Sequence, residues 1–202
     1  MNRNVLSFEE NIVLENNRVR LTPLSMDHLE FLLPIAEKHP KLLQFSPSEF
    51  GTQEMLEKYM ETAIASRAQE SRYPFAIFDK QEKIYAGSTS FGNISNRDLR
   101  LEIGWTWMGK EFQRTGLNRN CKYLMLRHAF QQWDFQRVEF KTDSRNLQSR
   151  VAIEKIGGKY EGEFRSHTLM PDGYRRHTVY YSILKDEWPL LVNTVFKEIE
   201  GK

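Results

Sequence analysis

Trp105-Thr106-Trp107-Met108-Gly109-Lys110-Glu111-Phe112-Gln113-Arg114-Thr115-Gly116-Leu117-Asn118 is the stretch on which the fold turns. It reads as a strand that ends, loops briefly and starts a helix at a run of small and polar residues. Gly116 lets the backbone come close to a bound group. The unpaired N–H groups in the first turn of the next helix, with its dipole, favour an anion such as phosphate there. Arg114 adds a side-chain cation. Two familiar phosphate loops are excluded by residue type. One needs G-x-x-x-x-G-K-[ST], and no Lys-Ser or Lys-Thr follows Gly116; the other needs G-x-G-x-x-G, and residues 113–118 hold a single Gly.

Working outward, the strand at 99–107 alternates. Leu101, Ile103, Trp105 and Trp107 fall on one face and Arg100, Glu102, Gly104 and Thr106 on the other, which sets Glu102 apart from the apolar side. Strands at 73–79 and 84–94 precede it, and the polar turns at 79–83 and 95–98 make the three an antiparallel meander. Further upstream, 18–24 is a first strand. Ser25 caps a helix carrying Leu29, Leu32, Leu33 and Ile35, which Pro34 should kink or end. Thr52 caps a second helix to about Ala68 with an apolar stripe from Met55 to Ile64. The loop at 39–47 between them either shapes a binding site or simply connects the helices. Downstream come a helix at 118–133, a strand at 137–142, a helix at 146–156 closed by Gly157-Gly158, strands at 159–170 and 176–184, and a helix at 187–200.

A chain of 202 residues, 40% of them hydrophobic, is long enough for one well-buried domain and short for two. One domain over 1–202 is expected, with its core at about 18–188. The net charge of +2 is spread without long runs, so neither nucleic acid nor a membrane surface is an expected partner. Cys121 is the single cysteine, which excludes an intramolecular disulfide and a Cys-rich metal site and suits a reducing compartment. The five histidines form no H-x-x-x-H or Cys/His grouping, so no metal is expected. Residues 1–7 lack a signal-peptide core, and no apolar run is long enough to span a bilayer. A cytoplasmic protein is the expectation.

The run Gln113-Arg114-Thr115-Gly116-Leu117-Asn118 resembles the Q/R-x-x-G-x-G/A pyrophosphate loop of the GNAT acetyltransferase superfamily. It is closest to the RimJ/RimL branch of ribosomal-protein N-terminal acetyltransferases, where the last small residue is commonly Asn. Glu102-Ile103-Gly104, the Asn146-x-x-Ser149 pattern followed by Glu154-Lys155-Ile156-Gly157, and the ending Tyr181-Ser182-Ile183-Leu184-Lys185-Asp186-Glu187-Trp188-Pro189 are similar to that branch too. The order of elements from 18 to 188 matches. The resemblance implies an α/β (α+β) GNAT fold, with a mixed, mostly antiparallel central sheet of about seven strands flanked by helices. It implies acetyl-CoA as co-substrate, with Gln113, Arg114, Thr115, Gly116, Leu117 and Asn118 around the pyrophosphate. It also implies that the strand ending at Trp107 and Met108 splays from its neighbour so that its backbone pairs with pantetheine. A backbone N–H near Met108 would then face the thioester oxygen.

Acetyl transfer to an amine also asks for a base and for a way to quench the leaving thiolate. Glu102, acting through a water, is the first candidate base; the alternative is a strand carboxylate paired with Arg100 or another cation. His167 is the second, because imidazole as a side-chain type titrates near neutral pH. Many relatives place a Tyr acid seven residues after the helix-start Asn, where this chain has Ile153. Ser149 matches the Ser of the RimL-like pattern and could hydrogen-bond the sulfur, or it is merely a small first-turn residue. Asn146 either binds the cofactor or caps its helix. An α-amine, with a pKa of about 7.7–8.0, has an appreciable neutral fraction at pH 7, whereas a lysine at about 10.4 has very little. A peptide or protein N-terminus is therefore the favoured acceptor. Small-molecule amines (polyamines, amino sugars, amino acids) and a non-enzymatic acyl-CoA-binding module are the alternatives. Residues near Phe45, Phe91 and His167 are expected to shape the acceptor side, and an exposed strand edge leaves a homodimer open.

Overall fold

The computed structural model describes residues 6–200. The N-terminal stretch read as lacking a leader core lies, over residues 1–5, outside the described residues. The described chain forms strands β1 (Leu14–Glu15), β2 (Val19–Pro23), β3 (Arg72–Asp79), β4 (Ile84–Ser95), β5 (Arg100–Met108), β6 (Arg137–Asp143), β7 (Lys159–Leu169) and β8 (Arg175–Leu184). The helices are α1 (Leu29–Lys38), α2 (Gln53–Ala68), α3 (Leu117–Arg127), α4 (Leu147–Lys155), α5 (Trp188–Asn193) and α6 (Lys197–Glu200). One sheet runs β1-β2-β3-β4-β5-β6-β8-β7. Its ladders are antiparallel except β5–β6, which is parallel. The eighth strand beyond the expected seven is β1, two residues long and paired to β2 at the sheet edge.

Three elements differ from their sequence reading. Pro34 neither ends nor bounds α1, which runs on to Lys38. Pro34 and Glu30, whose carbonyl loses its helical donor, both lie on the exposed face, so water can replace the missing bond. The helix expected to reach Trp133 is α-helical only to Arg127; a π-helical turn over His128–Gln132 follows, with Trp133 N–H donating to the His128 carbonyl at 3.2 Å. The expected long C-terminal helix is two short ones. The break turns the fully buried Phe196 inward between Tyr123 and Trp188, at ring distances of 5.5 and 5.6 Å. That burial outweighs a few helical hydrogen bonds.

The difference that matters most lies within β5. Ser90 pairs with Gly104 and Ser88 with Trp107, so Trp105 and Thr106 together oppose Thr89. Trp105 takes a φ of 50°, and the extra residue inverts the alternation after it. Thr106 therefore joins Ile103 on the α3 side, while Trp107 turns to the Glu102 side. There it packs on Phe50 and Tyr59 at 4.9 and 6.2 Å.

The π-helical turn carries a pH dependence. His128 packs edge-on against Trp133 at 4.1 Å, and burial, helped by the Arg127 charge, lowers its pKa to about 4. Stability from the neutral ring is fully present above about 6.5 and is lost as pH falls through about 4. Thermal melts should show a loss over that window which His128→Phe reduces. The same acid slope in both proteins would sink this reading.

Candidate active site

β5 and β6 pair only at Arg100/Arg137, Leu101/Val138 and Glu102/Glu139. Beyond that point β6 stays with β8 to Asp143, whereas β5 continues to Met108 with that edge free of β6. The splay implied by the resemblance is thus present, and it opens at Glu102. Within β5 the flanks Leu101–Ile103 and Trp107–Met108 are buried, while Gly104, Trp105 and Thr106 are half-buried. The bulge therefore lies where the strand meets the cleft.

At the end of β5 the chain enters the candidate anion loop. Arg114 and Gly116 both take left-handed backbone, with φ of 63° and 87°, on either side of Thr115. This alternation turns successive N–H groups toward one side, as anion-binding nests do. Gly116 precedes the first residue of α3, and Asn120 N–H makes the bond to its carbonyl at 3.1 Å. The amides of Leu117, Asn118 and Arg119 thus belong to the first turn, which has no intrahelical acceptors; Leu117 N–H makes only a long bond to Thr115 Oγ1, 3.4 Å. A Cβ built at Gly116 meets no atom within 4 Å, and the Asn118 Oδ1 is buried with no hydrogen-bond partner. The open space at Gly116 fits a phosphate-bearing ligand resting on the loop, whereas the Asn118 oxygen, an acceptor, calls for a donor.

Gln113 is used differently from the loop residues beside it. Its Nε2 donates to the Met108 carbonyl at 3.2 Å, and its Oε1 accepts from Gln148 Nε2 at 2.9 Å. It ties the end of β5 to α4, while the Thr115 hydroxyl donates to the Phe112 carbonyl at 2.8 Å. Asn146 caps α4, its Oδ1 accepting from Ser149 N–H at 3.1 Å. The Ser149 side chain is half-buried on the first turn, and Ile153 is buried.

Glu102 is 6% exposed and accepts from Lys141 Nζ at 2.7 Å and from Asn93 Nδ2. Its cation is Lys141, from the neighbouring parallel strand; Arg100 sits nearest Asp98. Burial opposes the Lys141 charge, but the Glu102 carboxylate outweighs it and raises the lysine's pKa. Lys141 Nζ also lies 5.2 Å from the Tyr180 ring centroid, and the His167 ring packs edge-on to the same ring at 6.1 Å. His167 is exposed, just beyond a bulge at Ser166 where φ is 52°. The two candidate bases are therefore linked through one aromatic ring, Glu102 by way of Lys141 and His167 directly. A cavity of about 560 Å³ opens here, lined by Glu70, Asn93, Arg100, Glu139, Lys141 and Tyr180.

The loop between α1 and α2 reaches toward this side. The Phe45 carbonyl accepts from Arg176 Nη1 at 3.0 Å, and the Arg145 guanidinium lies 5.7 Å from the Phe45 ring and 3.7 Å from that of Tyr174. Burial lowers the pKa of Arg176, with Asp143 and Glu102 acting against it. Phe91 is not part of this surface. It is fully buried on the opposite face, against Phe75 and Trp133 at 5.6 and 5.3 Å, because it lies opposite Ile103 in register. Lys141, Asn93 and Tyr180 were invisible to a reading of β5 alone. The pairing of β6 with β5 and β8 brings Lys141 and Tyr180 to Glu102, and the β4–β5 register brings Asn93.

A family model described as "Acetyltransferase (GNAT) domain" matches residues 18–159. A Bacillus subtilis (strain 168) protein provisionally named ribosomal N-acetyltransferase YdaF is 33% identical over 102 residues, which is 50% of this chain and 55% of that one. The match thus spans about half the length of that curated relative. The crystal structure of a GCN5-related N-acetyltransferase from Brucella melitensis superposes with a TM-score of 0.86 at 26% identity, covering 95% of this chain and 86% of the other. That of an acetyltransferase, so named provisionally, from T. thermophilus gives 0.85 at 33% identity, covering 96% and 100%. With the splayed strand, the left-handed loop and these matches agreeing, the chain belongs to the GNAT family of acetyltransferases.

Proposed function

We propose that the protein transfers the acetyl group of acetyl-CoA to a primary amine, with a peptide or protein N-terminal α-amine as the acceptor. One observation carries the reading: the half-buried bulge of β5 lies on a free strand edge that leads into the Arg114–Gly116 loop. The donor supplies an activated thioester. The chain's own groups bind and orient around it. The α3 amides and Arg114 would hold the phosphates, and the free edge of β5 would pair with the pantetheine amides. Glu102, fixed by Lys141 and Asn93, would take the amine proton through a water. The name of the YdaF relative, ribosomal N-acetyltransferase, supports a protein acceptor, and the larger neutral fraction of an α-amine at pH 7 supports its N-terminus.

Free-thiol release with acetyl-CoA across a panel of peptides with free N-termini, N-blocked lysine peptides, polyamines, amino sugars and amino acids tests the acceptor. Turnover is expected on free N-termini. Turnover confined to small amines would sink that assignment, and tight CoA binding with no turnover of any amine would sink the enzymatic reading.

A further inference from the structure

Lys122 is a charged side chain at the cleft that the mechanism above does not use. It is 6% exposed, on the second turn of α3, the helix that begins at the anion loop. Its Nζ donates to Thr106 Oγ1 at 2.6 Å and to Thr89 Oγ1 at 3.2 Å, and the two hydroxyl oxygens are 2.8 Å apart. Among the described residues it forms no ion pair. The groups packed against it from β4 and β5 are the non-ionising Thr89 and Thr106. The titratable group that acts on it is the Cys121 thiol beside it on α3, itself pushed up to about 12 by burial. An ammonium held this way bears its desolvation without a carboxylate to offset it, and burial lowers its pKa to about 8.

The hydroxyl it holds is on the bulge. Thr106 is half-buried on the part of β5 that β6 leaves free, so a chain laid from the anion loop along that edge passes it. Lys122 donates to both threonines, and the Thr89 hydroxyl donates to Met125 Sδ at 3.7 Å. The Thr106 hydroxyl then has two acceptors in reach, Thr89 Oγ1 at 2.8 Å and the Gly104 carbonyl at 3.3 Å, and its proton turns from one of them to reach a ligand. Ile153 provides no acid where many relatives have Tyr.

We propose that Lys122, acting through the Thr106 hydroxyl, supplies the proton that quenches the leaving thiolate. The inference rests on the acyl-CoA reading above. As the acceptor nitrogen bonds to the acyl carbon, the C–S bond breaks with its electron pair on sulfur, and the amine's surplus proton leaves toward Glu102. Thr106 O–H passes its proton to sulfur and takes one from Lys122, which regains a proton from solvent. Because it reaches sulfur through Thr106, Lys122 is a positioning residue.

The test needs no turnover. The thiol of CoA bound to the protein is titrated by its thiolate absorbance in wild type, Lys122→Met and Thr106→Val. In wild type it should ionise about one pH unit below the ordinary thiol value of about 8.5, and in both variants it should return to about 8.5 or above. Should Lys122→Met not fold, Thr106→Val decides. A bound thiol that titrates at about 8.5 in wild type, or an equal shift retained in Thr106→Val, overturns the proposal while leaving the donor assignment standing. Absence of CoA binding to wild type overturns both.

Discussion

Gly116→Trp should raise the dissociation constant for CoA at least about a hundredfold, equivalent to about 2.7 kcal/mol of binding, while the protein stays folded. The fold has room for a side chain here, since a Cβ at Gly116 meets no protein atom within 4 Å. That open space adjoins the N-terminus of α3, where the proposed function seats the phosphates, so a bulky group there would compete with the anion rather than with the protein. The left-handed φ of 87° adds a backbone cost of about 1–2 kcal/mol for any non-glycine residue. Gly116→Ala calibrates it, because alanine incurs the same backbone cost with little blockage and should change CoA affinity by less than about tenfold. Calorimetric titration alongside a thermal melt separates the two effects. Unchanged affinity in the Trp variant would remove the loop from the binding site.

Glu102→Gln should lower kcat about a hundredfold near neutral pH, with little change in KM for acetyl-CoA, if its carboxylate takes the amine proton. The carboxylate also neutralises the half-buried Lys141 at 2.7 Å, so a loss of activity could arise from an orphaned cation. The double variant Glu102→Gln/Lys141→Met distinguishes the two. Recovery of activity there would assign Glu102 a structural role, whereas a double variant as slow as the single one keeps it as the base. His167→Gln should cost less than about tenfold, since His167 is exposed and meets the Tyr180 ring only edge-on at 6.1 Å. A larger loss than that of Glu102→Gln would exchange their roles.

Much of the architecture was legible because the signals were local. The caps at Thr52 and Asn146, the glycines after α4, the alternation in β2 and the polar turns bounding β3 and β4 act within a few residues of where they are read. The loop at 113–118 was recognisable for the same reason, as its chemistry depends on one left-handed glycine followed by a helix start. The misread elements depended on distant partners. Pro34 is tolerated because the carbonyl it deprives faces solvent, and α5 and α6 separate because Phe196 has an aromatic slot to fill.

What the sequence determined by itself is the order of elements, the anion loop and the placement of Glu102 away from the apolar side of β5. These follow from residue type and short-range periodicity. Only the tertiary structure decided which face Trp107 takes, which cation meets Glu102, that Phe91 is core, and that Lys122 rests under the cleft. Each depends on register between strands or on packing between a helix and the sheet. A one-residue bulge at Trp105 moves a side chain to the other face without changing the sequence pattern, because pairing is made across space and not along the chain.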